Sequence, residues 1–367
     1  MPSISTTIDR LKRMKLPLAN GHALPGSGRL THLDDFGSNP GNLTGLVHVP
    51  DALPARSPLV VVLHGCTQNA ASYDSGSGWS ALADEFGFAV LFPEQQRTNN
   101  ASLCFNWFTP EDTRRGGGEP QSIRQMVAAM VERHDIDPQR VFVTGLSAGG
   151  AMTSVMLATY PDVFAGGAII AGLPYGVASG VPQALERMRG HGHDEAALGK
   201  QVRRASSHKG PWPTVAVWHG TADSTVDQLN GALSVAQWAD VHGVGDPASE
   251  TRDGSETHRT WANAKGKVVL EEHVIDGLGH GTPIAAAGPE ASGTPGPYML
   301  EAGISSTYRI AASWGIVPAT APARRKPALA ARPARPEPAV AAPLAARQRG
   351  PAAVINEALR SAGLMPR

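Results

Sequence analysis

VFVTGLSAGGAMTSVMLATY, residues 141–160, decides how the rest of the chain is read. A β-branched apolar run, Val141 to Thr144, stops at Gly145. Ser147 follows, then Gly149 and Gly150, then a stretch with apolar residues at Met152, Val155, Met156 and Ala158. The pattern predicts a buried strand, a tight turn and a helix. At the junction, Gly145-Leu146-Ser147-Ala148-Gly149 has the G-x-S-x-G form of a nucleophile elbow. Glycines flank the serine because the strand and helix backbones approach too closely there for a Cβ. A free hydroxyl is a poor nucleophile, so the setting carries more weight than the letters. The helix N-terminus behind Ser147 adds partial positive charge where an oxyanion would form. Ser147 is the expected nucleophile.

Outward from this unit, strands and helices alternate. Pro58–Leu63 is a continuous apolar run, suited to a central parallel strand, and it ends in His64-Gly65-Cys66-Thr67-Gln68. Phe88–Pro93, Phe164–Leu173, Thr214–Trp218 and Lys267–Ile275 read as further strands. Trp79–Gly87, Gln121–His134, Gln228–His242 and Ile304–Trp314 read as helices. Gly28–Pro50 reads as an antiparallel hairpin at the sheet edge. The alternation predicts an α/β fold: a mostly parallel central sheet with helices on both faces and an antiparallel N-terminal edge. Pro174–Pro213 breaks the rhythm, with one plausible helix at Pro182–Arg189. It reads equally as a cap over the nucleophile or as a solvated loop.

The expected organisation has four parts. Residues 1–28 form an extension with a short amphipathic helix (Ile4, Ile8 and Leu11 on one face), and residues 29–317 the main domain. Residues 318–350 are an Ala/Pro/Arg linker that cannot bury a core, and residues 351–367 a short helix with Ile355, Ala358, Leu359 and Ala362 on one face. Lys and Arg total 32 and Asp and Glu total 32, so there is no global case for nucleic acid as a partner. Basic residues concentrate after Pro318, which leaves the main domain mildly acidic. No stretch approaches the ~20 apolar residues of a membrane span.

A serine nucleophile needs a base, and the base an orienting acid. In this kind of fold the chain order is Ser, then Asp or Glu, then His. Asp223, in Trp218-His219-Gly220-Thr221-Ala222-Asp223, follows a strand end, where the acid belongs; Asp227 and Asp240 are its competitors. His280 also follows a strand, between Gly279 and Gly281, and stands out among thirteen histidines by order and placement. His219 is too near Asp223 to share its triad and reads as structural. His191 and His193 lack a third ligand nearby, and neither a metal nor a cofactor is expected. The oxyanion donors should be the backbone N–H groups of Ala148 and of Cys66. Cys66 and Cys104, the two cysteines, lie on loops placed above one sheet edge. A disulfide between them and a pair of free thiols remain equal readings.

Taken together, LHGCTQNAASYDSGSGWSALADEFGFAVLFPEQ, CFNWF, the elbow segment, WHGTAD and GLGHGTPI resemble the polyhydroxybutyrate (PHB) depolymerase family of α/β-hydrolase esterases, over roughly Arg29 to Trp314. Position by position, the resemblance implies a triad of Ser147, Asp223 and His280, oxyanion donors at Cys66 and Ala148, and an aromatic substrate crevice at Trp107. Trp79, Tyr175 and Trp218 are further aromatic candidates, for which packing is the plainer use. The implied activity is hydrolysis of poly(3-hydroxybutyrate) or its oligomers through an acyl-enzyme. Feruloyl or acetyl-xylan esterase, or a broad polyester carboxylesterase, is the alternative, and a granule-surface binding protein the non-enzymatic one. A peptidase is disfavoured, since nothing marks a gating domain. The N-terminus has no continuous apolar signal core, so the chain resembles the intracellular type, cytoplasmic or docked on a PHB granule. A secreted chain that had lost its signal would read the same way.

Overall fold

The computed structural model describes residues 28–321. The terminal helices expected from the sequence, and the expected linker beyond residue 321, lie outside the described residues. Ten strands form one sheet: β1 (Thr31–His32), β2 (Thr44–His48), β3 (Ser57–Leu63), β4 (Ala89–Glu94), β5 (Ile136–Leu146), β6 (Gly166–Ile170), β7 (Thr214–Gly220), β8 (Ser249–Asp253), β9 (Glu256–Ala262) and β10 (Val268–Ile275), in the order β1-β2-β4-β3-β5-β6-β7-β10-β9-β8. From β4 through β10 the pairing is parallel. Antiparallel strands finish both edges, β1 and β2 on one side and β9 and β8 on the other. The N-terminal antiparallel edge was expected; the β8–β9 hairpin was not. Its outer strand is exposed throughout and reads SETRD, without the apolar alternation by which strands are recognised.

β3 is buried along its whole length, and its side chains alternate between two cores. Leu59, Val61 and Leu63 face one, with Met126, Met130, Val155 and Trp238 from helices Gly118–Arg133, Ala148–Thr159 and Leu229–His242. Val60 and Val62 face the other, with Trp79, Leu82, Tyr308 and Ile310 from helices Trp79–Phe86 and Ser306–Ser313. Burial on both faces is why β3 is apolar from Pro58 to Leu63. The helix Ala70–Ser77 had no expected counterpart. It is capped at Asn69, whose side chain accepts from Ser72 N while the Ser72 hydroxyl returns the bond.

The Pro174–Pro213 segment holds two helices, not the one expected. Val181–Met188 fits the expected helix, and Leu198–Arg204 packs against Leu229–His242. The second was hidden because its buried residues are only Leu198, Gly199 and Val202.

Candidate active site

The elbow is built by steric exclusion. A Cβ at Gly145 would stand 2.5 Å from the Gly149 carbonyl carbon, and one at Gly149 would stand 2.2 Å from the Leu63 carbonyl oxygen. With both positions bare, β5 turns directly into the helix Ala148–Thr159, every residue of which is buried. Ser147 sits at the corner with φ 58° and ψ −116°, a conformation that costs a non-glycine residue energy. Two backbone bonds hold it there: Ser147 N–H donates to Ile170 O at 2.9 Å, and Ala151 N–H to Ser147 O at 2.8 Å.

Asp223 and His280 arrive on loops beyond the ends of β7 and β10, which are hydrogen-bonded neighbours. The loops are laced together. Thr221 N–H donates to Ile275 O, Ala222 N–H to Leu278 O, and the Thr221 hydroxyl bridges Asp276 and Gly277 N–H. Gly220 permits this closeness, since a Cβ there would meet Leu278 O at 2.2 Å. Beyond His280 the chain is fastened again by a short parallel pair, β11 (Thr282–Ile284) with β12 (Met299–Glu301). The outcome is a 2.7 Å hydrogen bond from His280 Nδ1 to Asp223 Oδ2.

The Asp223 carboxylate is fully engaged. Oδ1 accepts from Thr225 N–H and Val226 N–H, both at 2.9 Å, and Oδ2 also faces His219 Nε2 at 3.5 Å. Burial alone would raise its pKa, but the His219 and His280 contacts outweigh burial and hold the carboxyl well below the usual range. Its competitors are occupied elsewhere: Asp227 receives Leu229 N–H, and Asp240 forms a fork with Arg203. His219, read from the sequence as structural, touches the acid from behind.

Ser147 and His280 line one cavity of about 190 Å³, together with Gly65, Cys66, Gln68, Met188, Thr225 and Tyr298. The hydroxyl and the imidazole face this space without a hydrogen bond between them. Unliganded catalytic pairs are often this loose and tighten around substrate. Met188 comes from the segment 174–213, so that segment does reach the cavity. Tyr298 stands edge-on to His280 at 6.1 Å between ring centres.

The loop after β3 is shaped by its own side chains. His64 donates from Nδ1 to Gly65 O at 2.8 Å and accepts Gln95 N–H at Nε2, 3.1 Å. That pattern requires a neutral ring, and burial lowers the His64 pKa to about 4, partly offset by the Gly65 carbonyl. Gly65 N–H donates to Gln68 Oε1 and Thr67 N–H to Ser102 O. The Cys66 and Ala148 amides donate to no other described residue. Cys66 is joined to Cys104 by a disulfide. The Cys104 strand of that bridge is held in turn by Glu119, which accepts from Gln95 and from the Asn106 side chain and backbone.

Trp107 is not brought to the cavity. It is 7% exposed, edge-on to Phe108 in the core beneath the loop, while Phe105 packs against His64. Trp79 and Trp218 are wholly buried, and Tyr175 donates its hydroxyl to Thr113 O. The apolar cavity groups that sequence reasoning missed are Met188 and Tyr298. Neither belongs to a recognisable motif; only the folded segment 174–213 and the turn before β12 place them.

Sheet order, elbow and strand-end loops define an α/β-hydrolase. Residues 44–261 match the Esterase PHB depolymerase family. The chain is 47% identical over 296 residues to poly(3-hydroxyalkanoate) depolymerase C of Paucimonas lemoignei, covering 78% of this chain and 70% of that protein. It is 35% identical over 264 residues to an acetylxylan esterase of Coprinopsis cinerea, covering 70% of each. Among solved structures, an acetyl xylan esterase from Aspergillus awamori superposes with a TM-score of 0.63 at 26% identity, over 68% of this chain and 93% of that one. The chain belongs to the Esterase PHB depolymerase family and is a carboxylic ester hydrolase. No helix among the described residues is long and apolar enough to cross a membrane.

Proposed function

We propose that the protein hydrolyses poly(3-hydroxybutyrate) or its oligomers through an acyl-enzyme formed on Ser147. The observation that carries this reading is the His280–Asp223 hydrogen bond opening onto the cavity that Ser147 lines from its strained corner. The substrate class follows the 47% identity to the Paucimonas lemoignei depolymerase. As the Ser147 hydroxyl attacks the ester carbonyl, His280 Nε2 takes its proton and Asp223 keeps the other ring nitrogen protonated and aimed. The developing oxyanion is met by the Cys66 and Ala148 N–H groups, each typically worth about 3 kcal/mol in the transition state. The alcohol leaves with the proton from His280, and water then repeats the cycle on the acyl-enzyme. Met188 and Tyr298 supply the apolar contacts that Trp107, buried in the core, does not.

Ser147→Ala tests the scheme. Release of soluble hydroxybutyrate from amorphous polymer should fall about 10⁶-fold while circular dichroism and melting stay unchanged. Undiminished turnover by the folded variant refutes it. The acetylxylan esterase relative supports a second reading, and rates on hydroxybutyrate oligomers beside acetylated xylan and feruloyl esters decide between them. The Cys66–Cys104 disulfide favours work in an oxidising compartment over the cytoplasm. Docking on a granule through the basic C-terminal residues should be lost on truncation after Pro318 with soluble-ester activity kept.

A further inference from the structure

On the far antiparallel edge of the sheet, strand pairing assembles a group of side chains that the ester chemistry does not use. His258 on β9 and His273 on β10 are directly paired residues. Two-residue periodicity puts Glu256 beside the first and Glu271 beside the second, all on one face. His258 Nε2 lies 3.0 Å from Glu271 Oε2, and His273 Nε2 lies 3.8 Å from the same oxygen. One ligand atom from each of the three falls within 4.8 Å of the others.

We propose that His258, Glu271 and His273 bind one divalent transition-metal ion of the Zn²⁺ class. Two imidazoles and one carboxylate are the donors such ions take, whereas Mg²⁺ and Ca²⁺ prefer oxygen throughout. His273 already has the support that metal-bound histidines have. Its Nδ1 is paired at 2.7 Å with Glu256 Oε1, which leaves Nε2 for the ion, and Glu256 is itself anchored by Arg309. The His273 ring is clamped face to face on Trp218 at 3.6 Å. His258 stacks on its other side at 4.2 Å. For both lone pairs to converge, His258 must turn out of that stack; its side chain is 31% exposed.

The surroundings suit a cation. The cluster opens into a cavity of about 440 Å³ lined by Asp253, Glu256, Glu271 and Glu290 against Arg309. Bound there, the ion cross-links β9 to β10 near the far edge of the sheet, away from the Ser147 cavity. Its role is to fasten the edge from which the His280 loop departs. The sequence did not reveal this set because 258 and 271 are far apart until the hairpin forms.

Full-length protein, freed of metal by chelation, is titrated with Zn²⁺ by calorimetry and with Co²⁺ by visible absorption. The wild type should bind one equivalent with a tetrahedral Co²⁺ spectrum and gain melting temperature. His258→Gln and Glu271→Gln should each lose at least tenfold in affinity, together with the spectrum and the thermal gain. Soluble-ester turnover of the metal-free variants verifies that they are folded. Absence of one-equivalent binding by the wild type overturns the proposal, as does binding that survives in either folded variant.

Discussion

His219 and His280 converge on a single oxygen of Asp223: Nε2 of the first stands 3.5 Å from Oδ2 and Nδ1 of the second 2.7 Å. His219 Nε2–H also donates to Val226 O at 2.9 Å, and its buried Nδ1 has no hydrogen-bond partner among the described residues. We infer that it positions the acid from behind.

His219→Ala should therefore lower kcat roughly 5- to 10-fold, about the worth of one ordinary polar contact. With that contact gone from Asp223, the acidic limb of the kcat/KM profile should move to higher pH. A purely structural role would lower the melting temperature and leave that limb in place. Steady-state rates across pH, beside thermal unfolding, separate the two.

Gly149→Ala should be among the most damaging single-methyl changes in the chain. The added Cβ would meet two backbone oxygens, Leu63 O at 2.2 Å and His64 O at 2.6 Å, and neither can swing aside as a side chain would. A loss on the order of 3 kcal/mol, typical of overpacking, is expected with near-complete loss of turnover. Urea unfolding and an ester assay check both.

Removing the Cys66–Cys104 bridge should cost stability and catalysis together. It closes a loop with a sequence separation of 38, for which chain entropy gives about 4 kcal/mol at most. The Cys66 amide sits on that loop, so Cys66→Ser with Cys104→Ser should reduce kcat more than KM. Urea midpoints and Michaelis curves, with and without reductant, read this out.

Acid should loosen the loop after β3. The His64 pKa, lowered by burial to about 4, lies below its unfolded value near 6.5. The unfolded state then binds more protons between these values, so stability present above about pH 6.5 is lost as pH falls toward 4. The contribution is on the order of 3 kcal/mol. In His64→Gln the fall in urea midpoint between pH 7 and pH 4.5 should be shallower; an unchanged slope refutes the assignment.

Much of this was legible before any coordinates. β3 to β7 announced themselves by apolar runs because both their faces are covered, and β10 by the shorter runs at its two ends. The elbow was legible because its glycines are fixed by backbone contact over a few residues. Less could be read where the chain is polar or the partner distant. β8 and β9 carry charged pairs such as Arg259 with Glu250 and Glu272 in place of an apolar stripe. Trp107 looked like a substrate contact by family resemblance, yet it fills the core under the disulfide loop.

The sequence by itself determined the fold class, the corner on which Ser147 stands and the order in which Ser147, Asp223 and His280 follow along the chain, since each rests on short-range pattern. Only the tertiary structure decided that Asp223 and not Asp227 or Asp240 meets His280, that the two thiols are joined, and that Met188 and Tyr298 border the cavity. Those relations depend on which strand ends lie side by side, and adjacency in a sheet is set by packing over the whole domain.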